Sequence, residues 1–263
     1  MKNQNTEYRS WISGSPRGAA ILVHGLGANI GWWEGLAGVL LTAGVSSCAV
    51  NLSRSGSMRE FKNGIAVTLG RIRKENPGEK VFAVGESLGG LAVFSMAASG
   101  EAAFDGIICM SPAFKSSLKL GLLDYVRIFL PLLYSPGKKQ ILPMTPEMCT
   151  RDPEYIRLIK EDYDKDTMSS SRLLFDIFKE QLAVGLSRAK IAAGILCLIG
   201  GEDRMVDSAA TKRIIEKTAC PDKRIIEYPG MYHSLSIELG REKVFTDIVR
   251  WLEDRLGSSN ARH

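Results

Sequence analysis

Short, unbroken apolar runs recur along this chain, with amphipathic stretches between them. Val45 to Leu52 is a run of strand length, and Gly18 to Val23, Val81 to Val84 (after Lys80) and Gly106 to Met110 have strand length and are apolar at successive positions. That is the character of a strand buried on both faces, where no side chain is turned to water. Trp32 to Leu41 and Phe61 to Lys74 have helical spacing, and Asn76-Pro77-Gly78 stops the second. This alternation predicts an α/β protein, with a mostly parallel sheet covered by helices on both sides. Arg9 to Ile12 is expected to add a short edge strand.

After Ser111-Pro112 the alternation breaks, and no buried strand is predicted from 113 to 192. Leu120 to Leu130 is apolar almost throughout and stops at Pro131. Asp152-Pro153-Glu154 opens a further helix, with proline in the first turn where its missing N–H costs nothing. Ser170 to Ser187 gives another, with Leu173, Leu174, Ile177, Phe178 and Leu182 along one face. The core pattern then resumes with the strand Ile195 to Ile199, a helix from Ser208 to Lys217, the strand Arg224 to Tyr228 and a helix from Arg241 to Leu256. The expected organisation is a core in two parts, 1–112 and 193–263, interrupted by a helical cap over 113–192.

Composition narrows the picture by exclusion. The chain has 263 residues, 45% of them hydrophobic and 24% charged, enough for a sizeable core in one large domain. Its formal charge of +5 is dispersed; Arg71-Ile72-Arg73-Lys74 and Lys138-Lys139 are solvated surface rather than a nucleic-acid footprint. Five widely spaced cysteines without a C-x-x-C pair argue against a disulfide framework or a zinc site. The opening residues Met1 to Glu7 are polar, and no apolar run reaches membrane-spanning length, so a cytoplasmic protein is expected.

The candidate chemistry centres on Gly85-Glu86-Ser87-Leu88-Gly89-Gly90, between the strand Lys80 to Val84 and a helix from Leu91 to Ala98. A serine between glycines at a strand-to-helix junction has the form of a nucleophile elbow. Such a turn strains the serine backbone, and a Cβ at Gly85 or Gly89 would collide across it. The geometry lifts Oγ clear of the sheet. It also brings the Leu88 N–H and the positive end of the helix to where an oxyanion would form. A turn that merely contains Ser87 is the alternative, and partners elsewhere decide between the two.

Ala19 to Val23 ends in a second glycine loop, His24-Gly25-Leu26-Gly27. A dinucleotide fingerprint would need glycine where Ile30 stands and an acid where Asn51 follows the next strand, so that reading is weak. The loop is instead expected to give a second oxyanion N–H from Leu26. Of three histidines, His263 is terminal and His24 sits beside this loop, which leaves His233, just past the last strand, as the base. Glu202, Asp203 and Asp207 follow the preceding strand. Asp203 is preferred because it lies in the tight turn, whereas Asp207 sits where a helix N-cap is expected. The order serine, acid, histidine is that of an acyl-transfer triad on a sheet.

These segments together resemble the α/β-hydrolases of the monoacylglycerol lipase and lysophospholipase-like group, the serine aminopeptidase-like hydrolases, from about Ala19 to Leu256. The resemblance implies the α/β-hydrolase fold with a helical cap. It also implies the roles nucleophile, acid and base for Ser87, Asp203 and His233, and oxyanion donors at Leu26 and Leu88. Family members usually carry Asp-x-Arg-Gly-His-Gly where this chain has Asn51-Leu52-Ser53-Arg54-Ser55-Gly56-Ser57, which alters loop-to-cap contacts and not the triad. The amino terminus is short, so one or both leading strands of the family sheet are expected to be missing. The expected substrate is a small lipophilic ester, a monoacylglycerol, lysophospholipid or simple carboxylester, with no cofactor and no metal. Leu122, Val126 and Phe129 are candidates for an acyl pocket in the cap, whose apolar first helix also suits transient contact with a lipid surface. Trp32 and Trp33 either line the same pocket or belong to the core, and the core is the preferred reading. A peptidase or amidase on the same triad, and a binding protein that has lost catalysis, are the competing readings.

Overall fold

The computed structural model describes residues 8–51, 56–166, 168–187 and 190–257. A seven-stranded sheet forms its centre. Strand β1 (Tyr8–Trp11) pairs antiparallel with β3 (Val45–Val50). From β3 the sheet continues in parallel through β2 (Gly18–Val23), β4 (Val81–Glu86), β5 (Gly106–Met110), β8 (Gly194–Gly200) and β9 (Lys223–Tyr228). One leading antiparallel strand is therefore present at the edge.

Side chains of the inner strands divide by parity. In β2, Ala19, Ile21 and Val23 pack on one side of the sheet, Ala20 and Leu22 on the other. Helices α2 (Met58–Glu75), α3 (Leu88–Ser99) and α8 (Ser208–Lys217) cover the first side; α1 (Glu34–Thr42) and α9 (Arg241–Leu256) cover the second. This two-sided burial is why the strands read as continuous apolar runs. Trp33 closes a single helical turn, Ile30–Trp33, before α1 and lies in the core. Helix α2 begins a turn earlier than its apolar spacing implies. Its start is set by a capping box, in which Ser57 and Glu60 each accept the other's backbone N–H. Residues 52–55, which hold the expected end of the strand from Val45 and the middle of the segment Asn51 to Ser57, lie outside the described residues.

Between the neighbouring strands β5 and β8 the chain leaves the sheet. It forms α4 (Leu122–Phe129), the single turn Leu130–Leu133, α5 (Pro146–Cys149), α6 (Pro153–Asp166) and α7 (Ser171–Leu186). It also forms two strands that the sequence pattern does not reveal, β6 (Lys139–Ile141) and β7 (Met168–Ser170), paired antiparallel. Three residues are too few for a period of two to show. Among the described residues no helix is long and apolar enough to cross a membrane.

Candidate active site

In a parallel sheet all strands end on the same edge, so loops distant in sequence meet there. Four such loops converge here, following β2, β4, β8 and β9. The turn after β4 is sharp: Ser87 has φ 54° and ψ −115°, a left-handed conformation strained for a residue with a Cβ. Its N–H donates to Met110 O at 2.9 Å, and its carbonyl accepts from Ala113 N–H at 3.0 Å, which ties the turn to the end of β5. A Cβ on Gly89 would lie 2.0 Å from the Val23 carbonyl oxygen, so glycine is obligatory if α3 is to approach β2 this closely.

Ser87 Oγ–H donates to His233 Nε2 at 2.8 Å, and His233 Nδ1–H donates to Asp203 Oδ2 at 2.7 Å. The other carboxylate oxygen of Asp203 accepts from the N–H groups of Met205 and Val206 at 2.8 and 3.0 Å. Both oxygens are thus spoken for, and the acid can hold the ring in only one orientation. Asp207 is elsewhere occupied: it caps α8 by accepting from Ala210 N–H and pairs with Lys115. Glu202 is exposed. The histidine loop is itself fastened. Buried Glu238 accepts from Tyr232 N–H, Leu239 N–H and Arg151, and Ser234 N–H donates to Cys149 O.

Electrostatics follow from this packing. Burial alone would push the His233 pKa down, but the Asp203 charge and hydrogen bond, with Glu86 adding to them, leave it raised above 6.5. Burial alone would raise Asp203, yet the imidazole and the two backbone N–H groups hold it below the usual carboxylate range. The pair is built to carry charge when a proton arrives on Nε2. Cys149 also borders the site, but burial foremost pushes its thiol up to about 12, so it is not a rival nucleophile.

The loop after β2 lies against the serine. A Cβ on Gly25 would come within 2.9 Å of the Ser87 Cβ, so this loop approaches only because it lacks one. Leu26 N–H makes no backbone hydrogen bond among the described residues, and Leu88 N–H is an orphan donor at the start of α3. His24 stays beside this loop, its Nδ1 2.8 Å from the Gly25 carbonyl oxygen.

Above Ser87 and His233 opens a cavity of about 500 Å³. Cap residues Leu120, Ile128, Phe129, Leu142, Leu174 and Phe178 line much of it. Of the three cap candidates, Phe129 reaches this space. Leu122 and Val126 do not: they are 80% and 48% exposed on the outer side of α4. The correction has a simple cause. Asp124 and Arg127 mark one side of α4, but the apolar arc formed by its other residues is wider than the face that meets the cavity, which the structure places at Tyr125, Ile128 and Phe129. Trp32, expected in the core with Trp33, instead borders the cavity. Helix α6 adds Tyr155, Leu158 and Ile159, which the sequence did not single out.

The sheet, the strained serine and the capped crevice define an α/β-hydrolase. The chain belongs to the serine aminopeptidase S33 family of hydrolases, whose model matches residues 14–240. It is 24% identical to the monoacylglycerol lipase of Mycolicibacterium smegmatis, over 92% of this chain and 90% of that one. To the human monoglyceride lipase it is 25% identical, over 94% of this chain and 86% of that one. The crystal structure of the Paleococcus ferrophilus monoacylglycerol lipase superposes with a TM-score of 0.87 at 25% identity, covering 96% of this chain and all of that one.

Proposed function

We propose that this protein is a serine carboxylic-ester hydrolase that cleaves esters of lipophilic acyl chains, monoacylglycerols foremost, through an acyl-enzyme. The observation that carries the reading is the unbroken chain Ser87–His233–Asp203 at 2.8 and 2.7 Å beneath an apolar cavity. The lipase relatives support the substrate class.

The mechanism follows the geometry. Ser87 Oγ attacks the ester carbonyl carbon while its proton passes to His233 Nε2, and Asp203 stabilises the imidazolium. The carbonyl oxygen becomes an oxyanion between the N–H groups of Leu26 and Leu88. Collapse breaks the bond to the alcohol, which leaves with the proton from Nε2, and the acyl group stays on Oγ. Water then attacks the acyl carbon and gives its proton to Nε2. That proton returns to Oγ as the carboxylic acid departs.

The cap supplies the acyl wall. Each buried methylene contributes about 0.8 kcal/mol, roughly fourfold in kcat/KM while the cavity has room. A lipid surface is the place where such a substrate is met. Leu122, Leu123 and Leu133 are 80%, 83% and 84% exposed on the outside of the cap, an apolar rim beside the cavity helix. The test is a purified-enzyme panel of monoacylglycerols graded by chain length, with 4-nitrophenyl esters and an aminoacyl anilide alongside. Rising kcat/KM with chain length and no anilide cleavage is the expected result. Preferential anilide cleavage would make the protein an amidase.

A further inference from the structure

Glu86, the last residue of β4 and the neighbour of the nucleophile, is 3% exposed and has no part in the steps above. Its carboxylate is held at both oxygens by one residue of the histidine loop. Ser236 N–H donates to Oε1 at 2.9 Å and Ser236 Oγ–H donates to Oε2 at 2.7 Å. Glu86, like Ser87 and His233, also borders the cavity.

A loop tie needs only hydrogen-bonding capacity. An amide in place of the carboxylate would satisfy Ser236 equally, accepting its N–H and donating to its hydroxyl oxygen, without the cost of burying a charge. A buried carboxylate at this position is therefore explained by its charge, and His233 is the neighbour whose charged form that charge favours. The ionisable groups that act on Glu86 are His233 and Asp203; those that act on His233 are Asp203 and Glu86. Cys149, facing the site from the cap, stays a neutral thiol. Burial foremost, with the Asp203 charge adding to it, leaves the Glu86 carboxyl raised above the ordinary glutamate range, although the two Ser236 donors and the imidazole oppose that. Two carboxylates thus act on His233, one bonded to Nδ1 and one through space.

We propose that Glu86 is a positioning residue of the hydrolytic site. It fastens the His233 loop through Ser236 and stabilises the imidazolium that forms each time His233 takes the Ser87 proton. The proposal rests on reading Ser87 and His233 as nucleophile and base.

The experiment compares the wild type with Glu86→Gln and Glu86→Asp in two ways: thermal unfolding, and NMR titration of the His233 ring in the resting protein, its signal identified by its loss in His233→Asn. Because the titration needs no turnover, it reads Glu86 even if ester hydrolysis fails to appear. In Glu86→Gln the His233 pKa falls by roughly one unit with Tm retained. The acid limb of kcat/KM moves to lower pH with it, and kcat drops about tenfold, the rate equivalent of that unit. Glu86→Asp, which keeps the charge, stays nearer the wild type in both. An unmoved His233 titration in Glu86→Gln, whatever happens to Tm, overturns the proposal and leaves Glu86 a loop tie. If Glu86→Gln does not fold, Ser236→Ala replaces it. That change removes one donor from the carboxylate and disfavours its ionised form, so the His233 pKa must again fall; if it does not, the proposal is overturned.

Discussion

Ser87 makes the sharpest demand on its surroundings, and its demands are all visible as distances. Its backbone is strained, its hydroxyl is within 2.8 Å of a base, and that base is within 2.7 Å of a fully satisfied carboxylate. Ser87→Ala should leave Tm nearly unchanged and lower ester hydrolysis by roughly 10⁶-fold, read by kcat on a soluble ester. Asp203→Asn should cost roughly 10⁴-fold in kcat, because the amide favours the wrong tautomer. Asp207→Asn should cost little activity, since that carboxylate caps α8 and meets Lys115. The pH profile follows from His233. The ring must be neutral to take the serine proton, and its pKa is raised above 6.5. Activity should therefore fall as pH drops through a value higher than that of an ordinary histidine, measured as the acid limb of kcat/KM.

At the scale of elements, legibility divided along burial. Strands β2, β4, β5 and β8 were readable because both faces are covered, which favours an apolar residue at nearly every step. The elbow was readable because glycines at 85 and 89 answer a steric demand at fixed spacing. Helices opened by a local device were readable too, such as α8 behind Asp207. The cap helix α4 was found but turned the wrong way. Leu122, Leu123, Tyr125, Val126, Ile128 and Phe129 are apolar alike, and only tertiary packing tells which of them meet the cavity. Glu86 was hidden for a different reason: the motif constrains its neighbours and leaves that position open, so its bonds to Ser236, 150 residues away, leave no local trace. The prediction at this scale concerns the inner face. Ile128→Ala with Phe129→Ala should lower kcat/KM on long-chain monoacylglycerols by ten- to a hundredfold, roughly the loss of several buried methylenes, and leave a butyrate ester within about twofold. Leu122→Ser with Leu123→Ser should spare hydrolysis of the soluble butyrate ester and reduce hydrolysis of monoacylglycerol embedded in vesicles, measured by vesicle co-sedimentation and product release.

The molecule as a whole divides its labour. The sheet gathers Ser87, Asp203, His233 and the Leu26 loop, the proposed nucleophile, acid, base and oxyanion donor, onto one edge. The segment between β5 and β8 roofs that edge and gives it an apolar chamber. The proposed function turns on acyl transfer through Ser87 inside this chamber. The most direct measurement treats the protein with a long-chain alkyl fluorophosphonate and follows residual ester hydrolysis and the modified peptide by mass spectrometry. One equivalent of label on Ser87, activity lost in proportion, and no label on Ser87→Ala are the predicted results. Hydrolysis that survives complete labelling of Ser87, or label and inactivation at another residue, would contradict it.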